Sequence, residues 1–167
     1  MDNLSTGEKI AGVSGVLLIL IMFIFSWFSL DAGPLGGDVG FNAFESFGVI
    51  DIVLLLAGIA GIGLAVAAAT QSAVNLPVAA SAITAGLGIL GVILVVIRII
   101  SPPDFGLGDL GVDVDADRSI GVFLGLIATA GVAFGGWTAM QEEGTSFSAQ
   151  GDRFQEPPPP PPAPPAA

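Results

Sequence analysis

The chain has 167 residues, 53% of them hydrophobic and only 11% charged, with fifteen acids against four basic residues and a net charge of −11. A soluble domain carries about a quarter charged residues, so this balance points to long apolar segments placed in lipid. Cysteine, histidine and tyrosine are absent, which removes disulfides, thiolate chemistry and the commonest general base and metal ligand. The acidity also removes the basic patch that nucleic acid or an anionic lipid surface requires.

Residues 1–9 form a polar N-terminus in which Ser5 or Thr6, followed by Glu8, is a helix-start signal. From Ile10 to Leu30 an apolar run is long enough to span a bilayer at about 1.5 Å per residue. Trp27 and Phe28 close this first helix, where interfacial aromatics belong. The run does not read as a cleaved signal peptide, because Lys9 is balanced by Asp2 and Glu8 and no A-x-A follows.

Residues 31–45 form a Gly-rich loop with Asp31, Asp38 and Glu45 and no basic residue. Phe41, Phe44 and Phe47 recur at every third position, which suits a short interfacial helix as well as a loop with aromatic anchors. A second helix is predicted over 46–69 and a third over 77–100. The short uncharged connection between them forces an antiparallel hairpin. Asn75 is a candidate cap and Pro77 falls in the first turn, while Ser101-Pro102-Pro103 ends the third helix.

The next loop, 101–118, sets Asp104, Asp109, Asp113, Asp115 and Asp117 against Arg118. Its VDVDAD stretch alternates at period two, the pattern of a short half-buried strand. A fourth helix runs from Ser119 to Met140. Residues 141–167 form a proline-rich tail expected to be disordered or polyproline II. The predicted fold is therefore all-α: a four-helix transmembrane bundle over 10–140. Four crossings place both termini on one side. Lys9 flanks the first helix and the loop after it has no basic residue, which puts that side in the cytoplasm.

Two charges interrupt the apolar runs. Asp51 lies five residues into the second helix and Arg98 two residues before the end of the third. In an antiparallel hairpin these ends lie at one membrane face, so a structural Asp51–Arg98 ion pair is expected. The same register sets Gly58 against Gly91 and Gly61 against Gly88, small residues that let two backbones approach. Headgroup contact by each charge alone is the competing reading for the pair. The fourth helix carries G-x-x-x-G at 121–125 and 131–135, read as packing inside the bundle or as a homo-oligomer contact, the former favoured. Asp113, Asp115 and Asp117 open like a calcium loop. Arg118 and Leu124 stand where that motif needs Gly and Glu, so a solvated acidic loop is the default and a non-EF cation site the minor reading.

Trp27-Phe28 at the end of the first helix, the Gly/Asp-rich loop, and N-A-F-E-S-F-G at 42–48 leading to Asp51 resemble small four-helix integral membrane proteins of actinobacteria that have no assigned activity. The resemblance covers about the first third of the chain and implies topology and a bacterial setting. The expected function is a non-enzymatic structural or interaction component of a membrane complex, without a cofactor. Its partners would be the lipid bilayer, further copies of itself or another membrane protein, and a polyproline-binding partner for the tail. The alternative is a small-solute or cation permease with Asp51 in its path, weakened by the few polar residues, chiefly Thr84 and Thr129, at mid-membrane positions.

Overall fold

The computed structural model describes residues 4–31, 37–70, 80–103 and 116–144. Five helices and three short strands occur in the order α1 (Thr6–Ile24), β1 (Phe28–Asp31), β2 (Asp38–Phe41), α2 (Ala43–Phe47), α3 (Val49–Ala69), α4 (Ala80–Ile100), β3 (Asp117–Arg118) and α5 (Ile120–Glu142). Of the tail predicted from residue 141, Gln141 and Glu142 instead continue α5, because their backbone stays in the helical ladder, and 145–167 lie outside the described residues, as do the connection around Asn75 and Pro77 and Asp104 to Asp115.

The α1 start follows from its sequence. Ser5 is the N-cap: its hydroxyl accepts from the Glu8 N–H at 3.2 Å while the Glu8 carboxylate accepts from the Ser5 N–H at 2.7 Å. This reciprocal box satisfies two donors that an α-helix leaves open. Asn42 and Glu45 repeat the arrangement at the start of α2, so the phenylalanine spacing at 44 and 47 does belong to a short helix.

The four long helices pack in the ring α1–α3–α4–α5, with neighbours antiparallel and α3 meeting α5 across the diagonal. Small residues make this approach possible. A Cβ on Gly15 would lie 2.5 Å from the Gly58 carbonyl oxygen, and one on Gly61 would lie 2.6 Å from that of Ala11, so α1 and α3 touch backbone to backbone. Gly88 meets the Ala133 backbone and Gly136 the Ala85 backbone in the same way across α4 and α5. Large side chains are correspondingly displaced outward: Val13, Phe23, Ile59, Ile97, Ile127 and Phe134 are all exposed. The larger core residues, among them Leu18, Met22, Leu54, Val95 and Val122, gather toward the end that carries the strands.

That end corrects the all-α expectation. The first helix stops at Ile24 instead of continuing to Leu30, and the chain turns into β1, the centre of an antiparallel sheet of order β2-β1-β3. Trp27 and Phe28 are fully buried, not interfacial. Three forces win over helix continuation. The Trp27 indole enters the notch left by Gly125; its Nε1–H donates to the Ile21 carbonyl at 3.2 Å, a last-turn acceptor of α1; and the Ser26 and Trp27 carbonyls accept from the Gly121 and Ser119 amides at the start of α5, each at 3.0 Å. β3 falls on the last residue of VDVDAD plus Arg118, so the described part of that predicted strand is confined to the tip of the pattern, and both residues are exposed.

Arg118 sits where a helix end favours a cation. Arg118 donates from Nε to the Ile99 carbonyl at 2.7 Å, closing the C-terminal end of α4. Replacing Arg118 with glutamine is expected to lower stability by about 0.3–1 kcal/mol, with the difference shrinking at high salt. Thermal unfolding of both proteins at low and high ionic strength measures it; a salt-independent loss would assign Arg118 a packing role instead.

Candidate functional site

The strongest candidate from sequence was the Asp51–Arg98 constellation, and the fold alters its setting. Gly48 adopts φ 63°, ψ −96°, a conformation closed to L side chains, and it separates α2 from α3. Asp51 is therefore in the first turn of a new helix, not five residues into a continuous one. It is buried, 7% exposed, and its Oδ1 accepts from the Ile52 N–H at 2.8 Å. A carboxylate here lies at the positive end of α3. Arg98, half-buried, lies in the last turn of α4, the negative end of that helix. Each charge thus has the sign that its own helix end favours.

The α3–α4 register also differs from the expected one. The Thr84 hydroxyl donates to the Ala60 carbonyl at 3.3 Å, and Gly91 packs against Leu54. Those partners total 144 and 145 in residue number, against 149 for Asp51 and Arg98. At about 1.5 Å per residue, the two charges are offset by roughly 6–7 Å along the helix pair. The glycine seam is redistributed as well. Gly58 and Gly61 face Ile19 and Ala11 on α1, whereas Gly88 and Gly91 face Ala133 and Thr129 on α5. All four are helix-packing residues, but their closest contacts join α1 to α3 and α4 to α5, and only Gly91 also meets α3, through Leu54. The cause is that both segments carry small residues on more than one face, and the broad-faced contacts with α1 and α5 take the glycines.

The fourth-helix glycines pack within the chain. Gly121 and Gly125 receive Ser26 and Trp27, Gly131 receives Ser14, and Gly135 receives Ala11. Asp113 and Asp115 lie outside the described residues. Asp117 is exposed in β3 opposite Ser29, and among the described residues no three acids converge as a metal-binding group.

The polar residues at mid-helix are turned inward on their own backbones. Thr129 is fully buried and donates to the Gly125 carbonyl at 2.6 Å. Thr84 is buried and donates to Ala80 at 2.9 Å besides Ala60. A shallow groove of about 330 Å³ runs between α4 and α5, lined by Ile89, Val92, Ile93, Ala133, Phe134 and Trp137. Its lining is apolar packing surface, with the Trp137 indole the one side chain that carries a polar group.

Sequence reasoning passed over the acids ending α5. The Glu142 carboxylate accepts from the Gly7 N–H at 3.2 Å, in the first turn of α1. The Glu143 carboxylate accepts from the Ser81 hydroxyl at 2.7 Å, in the first turn of α4. Their signal was that two consecutive acids stand at the C-terminal end of a helix, where the macrodipole disfavours them. All four long helices have the length and apolarity to cross a membrane. No protein-family model, no curated protein and no solved structure matches the chain.

Proposed function

We propose that the chain is a multi-pass integral membrane protein that serves as a structural or interaction component of a membrane complex, in a bacterial cell membrane with both termini in the cytoplasm. The observation that carries this reading is the radial inversion of the helices. Glycine and alanine occupy their mutual contacts, and isoleucine, leucine, valine and phenylalanine cover their outer faces. Water would penalise that outer surface at about 25 cal/mol per Å², whereas lipid does not, and small-residue contacts are the usual means of helix association in lipid.

The natural lack of cysteine makes the test direct. Single cysteines at Thr6 and Gln141 are expected to react with an impermeant maleimide only from the cytoplasmic side, one at Asp38 only from the opposite side, and one at Ile127 from neither. Release of the protein by alkaline carbonate, or aqueous labelling at position 127, overturns the membrane reading. Crosslinking in native membranes then identifies the partner.

The permease alternative needs a file of polar groups across the bilayer. Thr84 and Thr129 are instead committed to carbonyls of α3, α4 and α5. Liposomes containing the wild-type chain are expected to show no solute or cation flux above empty liposomes. Flux that is present in wild type and lost in Asp51→Asn would replace the structural reading.

Asp51 and Arg98 enter as structural charges. The offset register predicts that Asp51→Asn and Arg98→Gln destabilise additively to within about 0.5 kcal/mol, each acting at its own helix end. A coupling of about 1 kcal/mol or more in the double-mutant cycle establishes the ion pair across α3 and α4.

A further inference from the structure

Glu142 and Glu143 break a local rule. Negative side chains at the C-terminal end of a helix add to the negative pole of its macrodipole, and here two stand in succession at the end of α5. Both are exposed, so burial does not hold them there. What they gain is the positive ends of two other helices: Glu142 reaches the Gly7 amide of α1, and Glu143 reaches the fully buried Ser81 hydroxyl of α4. In the ring of helices α5 has α1 on one side and α4 on the other, while α1 and α4 stand diagonally opposed. One turn of α5 therefore ties together two helices that the packing keeps apart.

We propose that the last turn of α5 is a strap that locks the first turns of α1 and α4 as one unit, releasing both when it frays. Gly7 is in close backbone contact with Ala139 and Gly135, so a shift of α5 at this end is felt by α1 at once. Pro157, the first residue of the proline run, follows fourteen positions after Glu143. The strap is a conformational coupling device, and it holds whether or not the membrane complex has further subunits.

The discriminating property is crossed coupling, read by amide hydrogen exchange on the full chain in lipid nanodiscs. Glu143→Ala removes the carboxylate that accepts from Ser81, at an exposed position. It is expected to speed exchange of the Gly7 amide on α1 by about three- to tenfold, although Gly7 bonds to Glu142. Glu142→Ala is expected to do the same for first-turn amides of α4. Gln141→Ala, in the same exposed turn, should leave both unchanged, and the Ser119 and Gly121 amides at the far end report whether the bundle stays folded. If each glutamate substitution loosens only the helix it touches, they are two independent caps and the strap does not exist.

Discussion

Replacing Trp27 with alanine is expected to destabilise the protein by about 3–5 kcal/mol, the range for deleting a large buried aromatic. The indole is fully buried in the Gly125 notch and its Nε1–H is committed to Ile21. Its removal leaves a void at the junction of α1, β1 and α5 and takes from the Ile21 carbonyl one of its two donors, the other being the Phe25 amide. Because Trp27 aligns the carbonyls that receive the Ser119 and Gly121 amides, those two amides should lose protection together. Trp27→Phe separates the contributions: it keeps most of the ring volume and loses the donor, for an expected cost of about 1–2 kcal/mol. Denaturant titration followed by circular dichroism gives the energies, and hydrogen exchange locates them. Undiminished protection at Ser119 and Gly121 in Trp27→Ala would show that the strand end holds without its aromatic wedge.

Two glycines on α3, two positions apart, should respond in opposite directions to the same substitution. A Cβ on Gly61 falls 2.6 Å from the Ala11 carbonyl oxygen and 3.3 Å from its carbon, backbone atoms that move only if α1 moves. Gly61→Leu is therefore expected to cost about 3 kcal/mol or more, at or above the upper end of ordinary overpacking. A Cβ on Gly63 meets nothing within 4 Å. Gly63→Leu should be neutral or stabilising by about 0.5–1 kcal/mol, since leucine loses less conformational freedom than glycine in a helix. Thermal or denaturant unfolding of the two variants in the same detergent gives the comparison. Equal losses at both positions would mean that α3 faces α1 through a different surface.

Much of the helical framework was legible in the residues. The apolar runs place four long helices, Ser5 with Glu8 marks the first start, and α5 begins one residue after the predicted Ser119. What escaped were decisions made by tertiary contact. Phe25 to Leu30 continues the apolar run of α1, so hydropathy alone extends that helix. The missed signal was chemical, since Trp and Phe beside serine favour strands and a Gly-rich loop leads to a second short run at Asp38. Gly48 was hidden in the same way, as one glycine between two helical patterns with no sign that it must take positive φ. The Asp51–Arg98 alignment relied on a register that counting cannot choose, because glycine and alanine recur on several faces of α3 and α4. The contacts of Thr84 and Gly91 choose it instead.

The backbone-to-backbone packing of the long helices has a further consequence for how this chain can vary. In an ordinary core a harmful enlargement at one site can be relieved by trimming a neighbour. Between α1 and α3, at Gly15 and Gly61, the nearest atoms are the backbone oxygens of Gly58 and Ala11, which no side-chain trimming removes. Substitution there has only one direction, and no second-site reduction exists to answer it. Adaptive change should therefore accumulate on the outward faces, around positions such as Gly63 and Gly86 where added atoms meet open space. The interior would stay fixed while the outside of the protein is free to drift toward new neighbours.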